Sequence, residues 1–344
     1  MSKLFKYRLW LFCILVALTT LIGMIYDYLV YQEGEVDRFT VVWRSGFSWL
    51  VGASLVWGLE IFWVQSRQGS SIRRLHFLTA IAVKSVATLI IAILIAIFYR
   101  IVFEDSLDMS FLIQPRFLRT LGMVFAAIIL LQTVLQTIRI IGGRNLINFV
   151  LGKYVRPVRE ETIFMFLDLV GSTPLAERLG DIGVHSMITK FFFDITEPIV
   201  QHGGQIHRYV GDQVVVTWPL RGLEENAQAV LCCFAIADYL RAKEEEYQNQ
   251  FGLVPGYRIG LHGGPVVISQ CGDQKQELSY FGDTVNTAAR IEAQCKVLDS
   301  QLLMSGELLN RTALPEGFEP QLRGIVQLRG REKETELFMI CRRE

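Results

Sequence analysis

Residues 161–174 read ETIFMFLDLVGSTP, and this stretch decides how the second half of the chain folds. ETIFMFLDL is a strand-length run rich in apolar residues, and it ends at Asp168. GST and Pro174 then open a helix, with Thr173 expected as N-cap and Pro174 at the first helical position. The Asp168 carboxylate therefore stands where a strand ends and a helix begins. The backbone N–H groups that a helix N-terminus leaves without intrahelical partners lie beside it.

Downstream, the helix continues with apolar periodicity through residues 176–200 to a stop at Gly203 and Gly204. Residues 205–218, QIHRYVGDQVVVTW, read as two strands joined at Gly211-Asp212. A helix is expected over residues 226–247. YRIGLHGGPVVIS, residues 257–269, is expected to be a strand pair with the glycines in its turn. SYFGDTVNTAARIEAQC, residues 279–295, passes from strand to helix. GIVQLRG and TELFMICRRE read as two closing strands. This order predicts an α+β domain, a mostly antiparallel sheet with its helices on one face.

Upstream the chain changes character. Four long apolar stretches cover about 9–31, 40–64, 77–103 and 118–141, each sufficient to cross ~30 Å of hydrocarbon as a helix. They predict a four-helix transmembrane bundle over 1–141. A coupling linker over 142–158, opened by Gly142 and Gly143, joins it to a second domain over 159–344. Lys3, Lys6 and Arg8 precede the first span, Arg67, Arg73 and Arg74 fill the second loop, and Arg139, Arg144 and Lys153 follow the last. The other two loops are mostly acidic. The distribution of basic residues predicts both termini and the second domain in the cytoplasm, the chain lying in a plasma or inner membrane. Asp27, Arg44, Glu60, Lys84 and Arg100 are costly at membrane depth and such residues usually face a bundle interior and pair, Glu60 with Lys84 as one possibility; snorkelling near span ends accounts well for Arg44 and Arg100 and less well for Glu60 and Lys84.

Composition agrees with this division. The 344 residues are 51% hydrophobic and 20% charged, with a mean hydropathy of +0.33, too apolar for a wholly soluble protein of average composition. Thirty-four basic residues balance 34 acidic ones, and without a basic block this argues against a nucleic-acid partner. The six cysteines show neither CxxC nor a Cys/His metal spacing and read as free thiols.

Two constellations carry chemistry. If the strands ending at Asp168 and turning at Asp212 are neighbours, both carboxylates meet at one sheet edge beside a helix N-terminus. That is a hard-oxygen site for Mg²⁺ and a place for phosphate, although each Asp on its own also suits a cap or a turn. In VNTAAR, Asn286 and Arg290 are spaced i and i+4 and share one helix face. They could hold a ribose and a phosphoryl group, or form a solvated face.

FLDLVGST, YVGDQVVV and YFGDTVNTAARIE, with the tail LRGIVQLRGREKETELF, resemble the catalytic domain of class III nucleotidyl cyclases, in order and spacing. The resemblance covers roughly 152–342. It implies a ferredoxin-like α+β catalytic domain that uses two divalent cations, Mg²⁺ or Mn²⁺. Asp168 and Asp212 match the metal-binding aspartates, with the Leu169 carbonyl as a further ligand. Val170, Gly171, Ser172 and Thr173 match the phosphate-binding turn. Asn286 matches the ribose-orienting asparagine, Arg290 the arginine that stabilises the α-phosphate in flight, and Arg329 replaces a lysine that reaches the terminal phosphates. The family forms its site between two catalytic domains, which implies a homodimer with shared sites.

The resemblance also implies attack of the ribose 3′-oxygen on the α-phosphorus of ATP, giving cyclic AMP and pyrophosphate. Base selection departs from the family pattern: its adenine-reading lysine and aspartate fall on Arg208 and Ser279. Arg208 cannot accept a hydrogen bond, which argues against guanine and for ATP; guanylate cyclase is the alternative. VGDQV lacks the second acid of a diguanylate cyclase, no GxSxG supports a hydrolase on His262, and no P-loop is present. A receptor whose cyclase needs a ligand or partner is a further alternative, since the membrane bundle is expected either to sense a signal or only to anchor.

Overall fold

The computed structural model describes residues 3–30, 37–64, 69, 72, 75–103, 109–141, 148, 151–274, 276–329 and 334–343. Arg67, Arg73, Arg74 and Arg144, most of the two acidic loops, and residues 142–147 and 149–150 of the expected linker lie outside them. The chain divides into two compact units, Met1–Ile147 and Asn148–Glu344.

The first unit consists of α1 (Lys3–Val30), α2 (Arg38–Gly58), α3 (Phe77–Phe103) and α4 (Pro115–Ile141). Four segments, Arg8–Leu29, Val42–Val64, Phe77–Phe103 and Phe117–Ile138, are long and apolar enough to cross a membrane. Asp37 caps α2 by accepting from the Thr40 N–H at 3.0 Å. Past Gly58 the helix continues as a π-helical turn, Leu59–Val64. The core of this unit is Val16, Ala53, Trp57 and Ile61, packed by Leu131 and Leu135 of α4.

Several polar groups within these helices pair with one another. The Lys84 Nζ lies 2.6 Å from the Glu60 Oε1, joining α3 to the π-helical turn, as the sequence anticipated. The Trp49 indole donates to Asp27 at 2.8 Å, and that of Trp57 donates to Thr19 at 3.0 Å. Arg100 lies over the Phe111 ring. Removing one member of a buried ion pair strands the other charge, whereas removing both does not. Glu60→Leu alone should therefore lower stability by about 3 kcal/mol, and Glu60→Leu with Lys84→Leu should recover most of it. Thermal melts of both variants in detergent check this.

The second unit is built on β1 (Val158–Leu169), followed by α5 (Ser172–Gln201), β2 (Gln205–Val210), β3 (Gln213–Pro219), α6 (Leu223–Arg241) and α7 (Glu244–Phe251). Then come β4 (Tyr257–Cys271), β5 (Glu277–Phe281), α8 (Asp283–Val297), β6 (Leu302–Ser305), α9 (Gly306–Leu309), β7 (Phe318–Val326) and β8 (Thr335–Arg342). The sheet order is β2-β3-β1-β4-β6-β8-β7, with β5 paired to β4. Only β4 and β6 run parallel among these pairs.

β1 is buried on both faces, which explains its unbroken apolar run. Ile163, Met165 and Leu167 meet Met187, Phe191 and Ile195 of α5 and Val230 and Ile236 of α6. Phe164 and Phe166 point the other way, into a second core with Val266, Ile268, Leu278 and Ala288 of α8. Helices therefore cover both faces, where the sequence placed them on one. Tyr154 belongs to this second core, and its carbonyl accepts from the Gln270 N–H at 2.9 Å. The last residues of the expected linker are thus packed.

Several local expectations change. α5 begins at Ser172 with Gly171 as N-cap, so Thr173 is already helical. The chain turns there through a left-handed Gly171, which makes a side-chain cap unnecessary for the entry angle. α5 breaks at Gly180, and the helix expected over 226–247 is two helices, α6 and α7. β6 and α9 were not anticipated.

The residues 257–269 expected as a strand pair form one continuous strand that registers with β1 from Tyr257 to Ile268. Its glycines serve close approach instead of a turn. A Cβ on Gly260 would lie 2.3 Å from the Glu292 backbone nitrogen, and one on Gly264 2.9 Å from the Thr284 Oγ1. The backbone of α8 cannot move aside as a side chain could. Gly260→Ala is expected to destabilise the second unit by about 3 kcal/mol, as overpacking at its most severe does, and hydrogen exchange along β4 and α8 measures it.

Candidate active site

Asp168 lies at the end of β1, directly opposite Gln213 of β3 and Arg258 of β4. Asp212 is the second residue of the β2–β3 turn, adjacent to Gln213, so the hairpin carries it to the same sheet edge. The side-chain alternation of β1 puts Asp168 on the α8 face, with Phe164 and Phe166.

The Asp212 charge acts on Asp168. Burial, and then the Asp212 charge, push the Asp168 carboxyl up to about 6, while the Leu169 N–H and Arg258 oppose the shift. A third acid joins them that sequence reasoning did not single out. Glu292 of α8 is pushed up to about 7 by burial and by the charges of Asp168 and Asp212, again against Arg258. Arg258 was also missed, because only the β1–β4 register shows that it faces Asp168. Glu292 stood in the quoted VNTAARIE run, where its spacing from Arg290 sets it on the other face of the helix.

The turn after β1 lies next to this cluster. Val170 donates its N–H to the Gly256 carbonyl at 2.8 Å, so of the four residues matched to phosphate binding it does not offer a free amide. The remaining amides are those of Gly171, Ser172 and Thr173. They cross the left-handed turn into the first turn of α5, whose cap makes no side-chain hydrogen bond.

Asn286 and Arg290 occupy another place. Thr284, Thr287, Ala288, Ile291, Glu292 and Cys295 form the buried face of α8; Asn286 is exposed, and Arg290 is half-buried on the outward side. Arg290 lies 3.9 Å from Asp283 of its own helix and is not among the charges acting on Asp168. Arg329 is exposed in the β7–β8 connection. The structure thus places Asp168, Leu169, Asp212 and the glycine turn at one sheet edge, Asn286 and Arg290 off the buried face of α8, and Arg329 in the β7–β8 connection.

The two positions matched to base selection lie on strands that approach each other. Ser279 is on β5, opposite Ser269. His207 sits at a bulge in β2, its ring edge-on to Tyr280 with centroids 4.7 Å apart. Burial, then the neighbouring Arg208, lower the His207 imidazole to about 4, so it is neutral and accepts from the Arg208 Nε at 3.0 Å. The Arg208 guanidinium lies 3.9 Å from Glu277, two residues before Ser279.

The cysteines are free, and Cys232 and Cys295 are buried with thiols pushed up to about 12. Burial alone makes them unreactive at neutral pH.

Comparison with known proteins agrees with this geometry. Residues 155–341, more than half of the chain, match the adenylate and guanylate cyclase catalytic domain family. The chain belongs to this family. Adenylate cyclase 2 of Rhizobium meliloti is 38% identical over 198 residues, 58% of this chain and 54% of that one. Adenylate cyclase 1 of the same organism is 29% identical over 188 residues, 53% and 28% of the two chains. The chain thus spans about half, or less, of the length of the curated relatives it matches. A solved bacterial light-regulated adenylyl cyclase, 24% identical, shares the fold with a TM-score of 0.53, over 63% of this chain and 64% of that one. The second unit is thus a class III nucleotidyl cyclase domain preceded by four apolar helices.

The charge cluster has a consequence for stability. A carboxyl whose pKa in the fold lies above its ordinary 3.8 contributes fully below that value and loses its contribution as pH rises to about 6. In chelator, Asp168→Asn should melt close to the parent near pH 4 and above it from pH 6 upward. A pH series of melting temperatures measures the gap.

Proposed function

We propose that this chain is a membrane-anchored adenylate cyclase that converts ATP to 3′,5′-cyclic AMP and pyrophosphate. The observation that carries the reading is the pairing of Asp168 and Asp212 at one sheet edge beside a left-handed glycine turn. The Asp168 carboxyl, whose ionisation is opposed by burial and by the Asp212 charge, fits a divalent cation, which would relieve both. Asp168, Asp212 and the Leu169 carbonyl would hold two such ions, Mg²⁺ or Mn²⁺, which would supply acidification of the ribose 3′-hydroxyl and neutralisation of the triphosphate.

The chain's own residues have the remaining tasks. The amides of Gly171, Ser172 and Thr173, at the N-terminus of α5, bind phosphate oxygens, and Arg329 reaches the terminal phosphates. Asn286 orients the ribose. Arg290 meets the charge that grows on the α-phosphoryl oxygens as the 3′-oxygen attacks and pyrophosphate leaves. No general base is needed where positioning and electrostatics carry the rate.

The outward placement of Asn286 and Arg290 supports a homodimer in which each site takes its carboxylates from one copy and its Asn286 and Arg290 from the other. The four apolar helices support an integral membrane protein, with the catalytic unit on the cytoplasmic side by the distribution of basic residues. For the base, Arg208 and Ser279 offer donors, and the identity to an adenylate cyclase favours ATP. One observation favours GTP as a second reading: Glu277, beside Arg208, is a carboxylate that could accept from guanine N–H groups.

Purified full-length protein offered ATP or GTP with Mg²⁺ or Mn²⁺ tests this. Cyclic AMP from ATP is expected, with at least a hundredfold loss in Asp212→Ala; cyclic GMP from GTP in excess would reverse the base assignment. Mixing inactive Asp212→Ala with inactive Arg290→Ala should restore about a quarter of the activity, since half of the dimers keep one intact site. No restoration would refute the shared site.

A further inference from the structure

The catalytic reading employs Asp168 and Asp212 and leaves Glu292 without a task. Glu292 is 8% exposed, on the face of α8 turned to the sheet. Its place depends on β4. The β4 residues on that face are Arg258, Gly260, His262 and Gly264, and the missing side chain at 260 lets the α8 backbone approach to where a Cβ would meet the Glu292 nitrogen and Cα at 2.3 and 2.7 Å. The fold thereby carries a third acid into the poorly solvated space shared by Asp168 and Asp212, where Arg258 is the cation acting on it.

Among the described residues no three His, Cys, Asp or Glu side chains are spaced to hold one ion together, so Glu292 is not a third ligand. A buried carboxylate with neither a metal to bind nor a hydrophobic reason to be there still acts through its field. At low dielectric, a unit charge several ångströms from a cation remains strongly felt.

We propose that Glu292 is a positioning residue of the metal centre: its charge, held against the sheet by α8, strengthens divalent-cation binding at Asp168 and Asp212 without touching the ion. The proposal rests on the metal reading of those two aspartates. It differs from a packing role, because glutamine fills the same volume without the charge.

The test uses Mn²⁺ alone, with full-length protein in detergent at pH 8 and no nucleotide. Free Mn²⁺ is counted by its paramagnetic resonance signal. Glu292→Gln is expected to weaken Mn²⁺ binding about tenfold, as loss of an outer-shell partner does, while Glu292→Asp stays within about threefold of the parent. Melting temperatures in chelator should be unchanged or raised for the glutamine variant. Binding within twofold of the parent in a folded Glu292→Gln protein would overturn the proposal. Should that variant not fold, Arg258→Gln, which removes the opposing cation, is expected to tighten Mn²⁺ binding, and weaker binding would overturn it. Asp212→Ala separates the two ideas: if it keeps the parent's Mn²⁺ binding, the metal reading itself fails, and the role of Glu292 with it.

Discussion

The site depends on a central strand that cannot shift. β1 is packed by two helices on one face and by α8 and β5 residues on the other, with β3 and β4 hydrogen-bonded along its sides. Sliding it by one residue would exchange Ile163, Met165 and Leu167 with Phe164 and Phe166 across the sheet, which neither core can accommodate. Asp168 is the polar end of this strand. A carboxylate whose ionisation is opposed by burial and by a neighbouring acid would relax toward water if its backbone allowed, and the double-sided burial of β1 prevents that.

Function and stability pull in different directions here. Asp168 and Glu292 both have carboxyls pushed upward, so the fold retains charges that an apolar replacement would spare it. Such disagreement between local comfort and global structure is expected where chemistry is performed. The close contact at Gly260 belongs to the same account, because a position that tolerates no side chain there is what admits Glu292 to the cluster.

Much of the fold was legible because its signals are local. The apolar run ending at Asp168, the Gly211-Asp212 turn and the four long apolar stretches each report on a few neighbouring residues. The Glu60–Lys84 pair was legible for another reason, the rarity of ionisable groups in such helices. What escaped depends on tertiary contact. The glycines of β4 look like turn residues in isolation and act as clearance for a helix about 25 residues later in the chain. The same close packing puts α8 on the second face of the sheet. Arg258 and Glu292 become site residues only through strand register and helix facing. The Val170 amide could not be read as occupied, because its acceptor, Gly256, precedes a strand whose pairing the sequence left open.

Tyr154 has a mechanical meaning. Its ring is packed among Phe164, Ile268 and Leu278, and its carbonyl is tied to Gln270 near the far end of β4. A pull on the chain before Tyr154 is therefore divided between two routes: across the Gln270 hydrogen bond to the far end of β4 beside β5, and along the covalent chain into β1, near whose other end Asp168 stands. Because β1 and β4 are hydrogen-bonded along their length, the two routes rejoin across the sheet, and a load entering at Tyr154 is shared by the central pair of strands instead of bending one end of either.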